Sequence, residues 1–433
     1  MSWCTSIVVV LVAALVYVYV QVTRAPQLAA HLLNLPVTVV DSLLSDDEAR
    51  ALLDFARNDI WRFDNIAKDN NFYRMQHEHV GEAVPIGADG RCSHPFLVPS
   101  ANRTLCVLPG RFDVAQHYVR TGGFEGFKES FDVAGSRLQA FAAFFFDLSK
   151  VPIMQRLFTA DVFLQHARSV CPPTQQYLEP FQVNFILQVP GQTVAIHTDA
   201  PYFWGATRFQ LPQWLLVAMV HSGLFADRFV HQVQVVTYIH EWNATAERGG
   251  EFVYWRRDAS TPERVLPQRA AGTIVDGSKF VHAANVYNGA VRGQVATPPP
   301  IDKSQECALT HVGNERWELR CDDRLLREYT TDDLRMSVVY RGKCFASAAD
   351  AERFRALPAS EMLPLDAVLA TFRADLEKRG RIHHGDEIAP LALANLIVSE
   401  YIRYPKPRVW LPLNVCAADR LFPALRPLTK AVC

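Results

Sequence analysis

A series of short runs rich in β-branched and aromatic residues, between Gln182 and Arg341, constrains the fold more than any other feature of this chain. In chain order they are QVNFILQV, TVAIH, HQVQVVTYIHEW, GEFVYW, GTIVD, FVHAANVY and LRMSVVYR. Gly, Pro and Asn separate the runs, as they do where turns join strands. Many short strands in one block predict a double-stranded β-helix, or jelly roll, which leaves a pocket between its two sheets.

The second run ends in His197-Thr198-Asp199, which places an imidazole and a carboxylate two residues apart. Side chains alternate between the faces of a strand, so these two groups point the same way and can bind one metal ion. The pattern alone is weak, because composition makes roughly one chance His-x-Asp expected. His384-Gly385-Asp386 is indeed a second occurrence. A metal site at His197 therefore needs support from other residues.

That support lies downstream, where Gly249-Gly250-Glu251 opens one run and residues 271–278 lead to His282. His282 supplies a second imidazole. Two imidazoles and one carboxylate form the facial triad of non-heme Fe(II) oxygenases, in which the remaining coordination positions bind the cosubstrate and O2. The sequence thus predicts an Fe(II) site at His197, Asp199 and His282.

With these residues in this order, the chain resembles the 2-oxoglutarate- and Fe(II)-dependent dioxygenases, in particular the prolyl 4-hydroxylase-like branch. The resemblance spans roughly residues 36 to 346, where a strand with Asn184 precedes His-x-Asp, Gly-Gly-Glu, the 271–278 strand, the distal His282 and a basic residue. It implies Fe(II), with 2-oxoglutarate and O2 as cosubstrates and ascorbate as an accessory reductant. The implied reaction hydroxylates a C–H bond of a peptidyl, prolyl-like or small-molecule substrate and releases succinate and CO2.

Two arginines are candidates for binding the distal carboxylate of 2-oxoglutarate. Arg292 follows His282 at the interval usual in the family, but its Gly- and Pro-rich surroundings indicate a loop. Arg335 lies two residues before Ser337 on a predicted strand, so a guanidinium and a hydroxyl share one face. Because this Arg-x-Ser is similar to the family's cosubstrate signature, we expect Arg335 and Ser337 to bind 2-oxoglutarate, with Asn184 as a further candidate.

Other interpretations stay open. His77 and His79 form a His-x-His pair that can hold a metal on a strand, as in cupins, or can belong to a solvated polar loop. A membrane-tethered, non-catalytic binding or scaffold protein could keep the same jelly roll. Bound Fe(II) together with succinate release in the absence of substrate distinguishes the enzyme from such a scaffold. The formal net charge of -1, without a long run of one sign, gives no indication of a nucleic-acid partner.

Residues 7 to 20 form an almost uninterrupted apolar stretch, which predicts a membrane-targeting segment over residues 1 to 24. This segment is an uncleaved anchor or a signal peptide, since it is shorter than the roughly 20 residues of a comfortable span. Sequons at Asn102 and Asn243 fit passage through the secretory pathway. We expect a single-pass protein of the ER or Golgi membrane with a lumenal catalytic domain, or a secreted protein if the segment is cleaved.

Helical patterns surround the predicted strands, which makes the fold class α+β. Ser45 and Glu48 form a capping box that predicts a helix from about Asp46. Apolar residues at helical spacing predict core helices over residues 134 to 166, including Phe141.

The predicted dioxygenase domain covers residues 36 to 346 and carries two insertions. The aromatic segment between Tyr202 and Phe229 is expected to cover the site, and residues 298 to 333 are expected to form an added hairpin. Residues 347 to 433 are predicted to be a helical C-terminal extension.

Overall fold

The computed structural model describes residues 3–65, 83–94, 96–100, 103–290, 295–301 and 305–433. His77, His79 and Arg292 lie outside these residues. The main helices are α1 (Trp3–Thr23), α2 (Asp46–Phe55), α3 (Phe112–Thr121), α4 (Phe131–Arg137), α5 (Pro152–Phe158), α6 (Asp161–Ala167), α7 (Gln213–Ser222), α8 (Ala348–Arg355), α9 (Leu365–Lys378), α10 (Pro390–Tyr401), α11 (Ala418–Leu421) and α12 (Arg426–Val432).

The strands mix with these helices in one chain, as the predicted α+β class requires. They are β1 (Val37–Val40), β2 (Arg62–Asn65), β3 (Val84–Pro85), β4 (Val98–Pro99), β5 (Leu105–Val107), β6 (Phe141–Phe145), β7 (Tyr177–Gln188), β8 (Val194–His197), β9 (Tyr202–Phe203), β10 (Phe229–Val230), β11 (Gln232–Tyr238), β12 (Phe252–Tyr254), β13 (Glu263–Val265), β14 (Gly272–Val275), β15 (His282–Ala284), β16 (Cys307–His311), β17 (Arg316–Cys321), β18 (Arg324–Thr330) and β19 (Arg335–Phe345).

Two antiparallel sheets form the centre of the molecule. The larger has 10 strands in the order β1-β14-β11-β19-β7-β6-β2-β16-β17-β18, and the smaller has four in the order β13-β12-β15-β8. Along the chain the strands alternate between the two sheets, from β7 to β8, β11, then β12 and β13, then β14, β15 and β19. An apolar cluster with members from both sheets, including Val236, Phe252 and Val339, lies between them.

Alternation along β19 explains how one strand serves two environments. Met336, Val338 and Tyr340 join the apolar core on the outer face of the large sheet, where α2, α5 and α6 pack. Val339 belongs to the apolar cluster between the sheets. The alternate residues of β19, which include Ser337 and Val339, therefore face the small sheet. The polar residues of β19 are therefore directed into the space that the two sheets enclose.

The helix predicted from Asp46 is present as α2, with both hydrogen bonds of the Ser45–Glu48 capping box. The helical prediction for residues 134 to 166 is wrong at Phe141–Phe145, which forms β6 and pairs with β7 and β2. A short, continuous apolar run satisfies a helical and a strand pattern equally, and here pairing with the long strand β7 decides between them. Helices do form on either side, as α4, α5 and α6.

The predicted hairpin in residues 298 to 333 is a three-stranded unit. β16 pairs with β17, and β18 adds a third strand. β16 also pairs with β2, so the unit extends the large sheet at its edge. The insertion thus adds residues between β15 and β19 in the sequence. Its strands lie at the edge of the large sheet and do not separate β14, β11, β19 and β7, which remain neighbours.

The aromatic insert and the C-terminal helices share one apolar core. Trp214, Leu216 and Val220 of α7 belong to the same cluster as Phe372 of α9 and Ile397 of α10. The C-terminal extension therefore packs on the segment that directly follows the predicted metal ligands.

The prediction of a membrane anchor is not supported. α1 spans Trp3–Thr23, yet in the described part of the chain no helix meets the length and apolarity needed to cross a bilayer.

Among the described residues, eight cysteines pair as Cys92–Cys106, Cys171–Cys344, Cys307–Cys321 and Cys416–Cys433. Cys171 and Cys344 are 173 residues apart, whereas Cys307 and Cys321 are 14 apart. A crosslink restricts the unfolded chain more when it closes a longer loop. The Cys171–Cys344 disulfide therefore constrains the unfolded chain more than the Cys307–Cys321 disulfide does.

Replacing Cys171 and Cys344 together by Ser should lower the free energy of unfolding by about 5 kcal/mol, against about 3 kcal/mol for the Cys307/Cys321 double variant. Both follow from the entropy of loop closure, and denaturant unfolding without reductant measures them. The Cys307/Cys321 variant is the matched control. Equal losses in the two variants would contradict the loop-closure explanation.

Candidate metal centre

Strand pairing brings the two predicted histidines together. β8 and β15 are neighbours in the small sheet, and His197 lies directly opposite His282. Their ring centroids are 4.2 Å apart. Asp199 follows β8, and its backbone N–H donates to the carbonyl of Gly277 at 2.8 Å. One ligand atom from each of His197, Asp199 and His282 lies within 4.8 Å of the others, so the three predicted ligands form one cluster.

Backbone carbonyls orient both imidazoles. Nδ1 of His197 donates to the carbonyl of Ala195, and Nδ1 of His282 to that of Phe280, each at 2.8 Å. A ring that donates through Nδ1 presents the lone pair of Nε2, which is the metal-binding form. Burial, together with the neighbouring His197, lowers the pKa of His282 to about 3. His282 is therefore neutral over the physiological pH range.

Two buried ligand atoms have no hydrogen-bond partner among the described residues. They are Nε2 of His282 and Oδ2 of Asp199. A buried polar atom without a partner costs about 1–3 kcal/mol, so its presence calls for an explanation. A divalent metal ion coordinated by both atoms, together with His197, provides one. The donor set, two imidazoles and one carboxylate, fits Fe(II).

Arg341 fixes the other oxygen of Asp199. Its Nη2 donates to Oδ1 of Asp199 at 2.5 Å, and Nε2 of His197 lies 3.6 Å from the same oxygen. Burial alone would raise the pKa of Asp199, but the neighbouring Arg341 outweighs it and holds the pKa below its usual value. The carboxylate is thus ionised and oriented, with one oxygen on Arg341 and the other available for a metal.

A second hydrogen-bond network reaches the site from the C-terminal extension. Nη1 of Arg111 donates to the carbonyl of Thr198, the residue between two ligands, at 2.9 Å. Arg111 also forms an ion pair with Asp113 at 2.8 Å, and the hydroxyl of Tyr404 donates to Asp113 at 2.6 Å. Tyr404 therefore acts on the His-x-Asp turn through Asp113 and Arg111.

Tyr404→Phe should weaken Fe(II) binding by about tenfold, because outer-shell partners of ligand segments typically have effects of that size. Tyr401→Phe is a matched control: its hydroxyl also donates to a carboxylate, that of Asp375, at 2.7 Å, but Asp375 has no link to the site. Anaerobic Fe(II) titration measures both. If the two variants bind iron equally well, the network does not position the turn.

The predicted cosubstrate residues lie on the inner face of the large sheet. Nε of Arg335 donates to the carbonyl of Gly250 at 2.9 Å and Nη1 to Oε1 of Gln188 at 2.7 Å. Nη2 lies 3.5 Å from the hydroxyl of Tyr238. Arg335 is 3% exposed, and none of the described carboxylates forms an ion pair with it. No carboxylate is thus in contact with its buried charge, and Glu251 acts on that charge only from a distance.

Ser337 and Asn184 share this face but have protein partners. Ser337 donates to the carbonyl of Ile186 at 3.3 Å, and Oδ1 of Asn184 accepts from Gln182 at 2.6 Å. Glu251 of the Gly-Gly-Glu motif accepts from the amide of Asn285 at 3.0 Å, which fits a structural role.

Sequence reasoning missed Arg341, Arg111 and Tyr404. Arg341 carried a usable signal, because it follows Arg335 by an even number of residues on one predicted strand and so shares its face. Arg111 and Tyr404 carried none, because only the fold brings them to Thr198.

Comparison with known proteins gives matches among solved structures only. No family model and no curated protein matches the chain. The chain is similar to a Pseudomonas putida prolyl-4-hydroxylase, with 13% identity over 71% of this chain and 91% of that chain and a TM-score of 0.29. HygX from Streptomyces hygroscopicus was solved with nickel, 2-oxoglutarate and hygromycin B. It is 9% identical over 72% of this chain and 83% of that chain, with a TM-score of 0.32.

A third match is the viral collagen prolyl hydroxylase of Paramecium bursaria Chlorella virus-1, solved with 2-oxoglutarate. It has 10% identity over 71% of this chain and 94% of that chain, with a TM-score of 0.27. Two of these three structures are thus named as prolyl hydroxylases, and two were solved with 2-oxoglutarate bound.

Proposed function

We propose that this protein is an Fe(II)- and 2-oxoglutarate-dependent dioxygenase that hydroxylates a C–H bond of its substrate, with release of succinate and CO2. The observation that carries the proposal is the cluster of His197, Asp199 and His282, in which two buried ligand atoms have no hydrogen-bond partner among the described residues. We propose residues 36–346 as the catalytic domain, residues 347–433 as its helical extension, and residues 1–24 as a separate N-terminal segment.

The strand order supports a double-stranded β-helix as the core of that domain. Central strands of the large sheet follow the order β14-β11-β19-β7, and those of the small sheet β13-β12-β15-β8. Successive strands alternate between the sheets, as they do when a pair of strands coils into two facing sheets.

When bound, Fe(II) and 2-oxoglutarate supply the oxidative chemistry, and the protein supplies binding, orientation and exclusion of water. His197, Asp199 and His282 would hold the metal. Arg341 keeps Asp199 ionised and limits its rotation, and Arg111 fixes the backbone between two ligands. The aromatic and aliphatic residues between the sheets exclude water from the enclosed space.

We propose that Arg335 binds the distal carboxylate of 2-oxoglutarate. Its guanidinium is buried without a carboxylate partner among the described residues, and a buried charge is stable only when it is paired. Tyr238 and Ser337 share this face of the sheet, so their hydroxyls are candidates for the same carboxylate, as is the amide of Asn184. Ascorbate is a candidate accessory reductant for the purified enzyme.

The substrate is a peptidyl, prolyl-like group or a small molecule. The alternative is a non-catalytic binding or scaffold protein with the same core. Incubating the full chain with Fe(II), 2-oxoglutarate, O2 and ascorbate tests the choice. The dioxygenase should release succinate slowly without substrate, and His282→Ala should not. Tight Fe(II) binding without any succinate release would favour the scaffold.

We also propose that the protein passes through the secretory pathway. Its disulfides form in oxidising compartments, and Asn243 of the second sequon is exposed. Enzymatic deglycosylation should shift the mobility of the expressed protein, and Asn243→Gln should remove part of that shift. Free thiols at Cys171 and Cys344, with no glycan, would contradict this localisation.

A further inference from the structure

Gln234 of β11 lies beside the candidate metal centre. It is directly opposite Arg341 on β19, the residue that binds Asp199, and opposite Val275 on β14. Val275 belongs to the apolar cluster between the sheets, as does Val236, two residues further along β11. Because residues two apart on a strand share a face, the side chain of Gln234 is directed into the space between the sheets, next to that of Arg341.

The amide oxygen of Gln234 and one carboxylate oxygen of Asp199 lie close together. A Cβ atom at Gly277 would be 1.8 Å from Oε1 of Gln234 and 2.4 Å from Oδ2 of Asp199. The backbone N–H of Asp199 donates to the carbonyl of Gly277 at 2.8 Å, which keeps the two segments together. Both oxygens therefore border the small space that a glycine at this position leaves free.

Neither oxygen has a hydrogen-bond donor among the described residues. Gln234 is 6% exposed and Asp199 is 5% exposed, so bulk water does not supply the missing hydrogen bonds. Two neighbouring acceptor oxygens repel each other, and a buried acceptor without a donor is costly. The pair is stable when a cation binds one oxygen and a donor held by that cation reaches the other.

A metal ion at the triad supplies both groups. His197, Asp199 and His282 occupy only part of its coordination sphere, and water fills open positions until a cosubstrate binds. Water on a divalent ion is a strong hydrogen-bond donor, because the ion draws electron density from its oxygen. A carboxamide oxygen accepts such a bond without adding charge to the site. Oε1 of Gln234 lies beside Oδ2 of Asp199, the oxygen available for the metal.

We propose that Gln234 is a fourth protein group of the metal centre, whose Oε1 accepts a hydrogen bond from a water molecule bound to the metal. This inference rests on the proposed function, because it requires a metal at His197, Asp199 and His282. Gln234 is a positioning residue, since it acts on the metal through the water. Arg341 and Gln234, opposite each other on neighbouring strands, would then act on the two sides of the centre: Arg341 on the carboxylate and Gln234 on the water.

Titration of Mn(II) into the metal-free full chain, without 2-oxoglutarate, tests the proposal without catalysis. Gln234→Met removes the amide and keeps the length of the side chain, so it should weaken Mn(II) binding by about tenfold. The metal-free variant should have a thermal midpoint of unfolding no lower than that of the native chain, because it no longer buries an unpaired amide oxygen. A purely structural role would instead lower this midpoint. If Gln234→Met does not fold, Gln234→Leu is titrated in its place.

Water exchange identifies the group that Gln234 contacts. NMR relaxation of the solvent water, with Mn(II) in the site, measures how fast metal-bound water leaves. Gln234→Met should accelerate this exchange by about three- to tenfold, as expected for the loss of one hydrogen bond. In the opposite orientation of the amide, Nε2 would donate to Asp199 instead, and the exchange rate would not change.

Thr273→Val is the matched control. Oγ1 of Thr273 is also buried without a partner among the described residues, but Thr273 lies opposite Val236 on β11 and not opposite Gln234. This variant should keep the native Mn(II) affinity and water exchange. Unchanged affinity, unchanged exchange or a destabilised metal-free chain in Gln234→Met would each overturn the role of Gln234 and leave the triad intact. A native chain that bound no Mn(II) would overturn the metal centre as well.

Discussion

Gly277→Ala should abolish Fe(II) binding, although Gly277 is not a ligand. A Cβ atom at this position would overlap Oδ2 of Asp199 and Oε1 of Gln234. Oδ2 is the carboxylate oxygen left for the metal, so the added methyl group displaces the ligand or occupies part of the metal position. We expect the affinity for Fe(II) to fall by at least about a hundredfold, more than the usual effect of an outer-shell change. Anaerobic titration of Fe(II) measures it.

Gly272→Ala is the matched control for this variant. Gly272 begins β14, the strand after which Gly277 lies, and a Cβ there would also overlap a side chain, that of Leu43. Leu43 belongs to the core on the outer face of the large sheet. Gly272→Ala should therefore lower the thermal midpoint of unfolding and leave iron binding intact. Normal iron binding by a folded Gly277→Ala variant would contradict the position assigned to the metal.

Arg335→Leu should raise the KM for 2-oxoglutarate by a factor of about ten or more. This follows from losing a charge-assisted hydrogen bond of about 1.5–3 kcal/mol to the distal carboxylate. Arg335→Lys should recover part of the loss, because lysine keeps the charge and lacks the planar fork. Steady-state succinate release at varied 2-oxoglutarate concentration measures both variants.

Arg292→Leu is the control for the cosubstrate assignment, since Arg292 is the other candidate from the sequence and should change this KM little. Arg335 also donates to Gly250 and Gln188, so part of any loss could reflect stability. Fe(II) binding should remain normal in Arg335→Leu if the fold is intact. A large increase in KM for Arg292→Leu, with Arg335→Leu unchanged, would transfer the cosubstrate site to Arg292.

The clustering of His197, Asp199 and His282 was predictable from sequence because a local His-x-Asp pattern is followed by an ordered set of motifs that ends in His282. His197 and Asp199 share a strand face by their spacing, and His282 begins a short strand that pairs with β8. The capping box of α2 is equally local, since both hydrogen bonds join residues three apart. The shared strand face and the capping box depend only on residues close together in the sequence. They are therefore present whenever the strand or the helix forms.

Features that depend on distant pairing were not predictable. Phe141–Phe145 becomes a strand because β7 and β2 lie on either side of it. Arg111 reaches Thr198, and Tyr404 reaches Asp113, across separations of 87 and 291 residues. No periodicity in the sequence encodes these contacts, which join residues far apart along the chain.

The iron content of the purified chain tests the central claim most directly. After anaerobic loading and removal of free metal, we expect one Fe(II) per native chain and none in His197→Ala or His282→Ala. His240→Ala, which removes a buried histidine that donates to the carbonyl of Pro267 at 2.7 Å, should retain the iron. If the His77→Ala/His79→Ala variant lost its iron while the two triad variants kept theirs, the metal centre described here would be wrong.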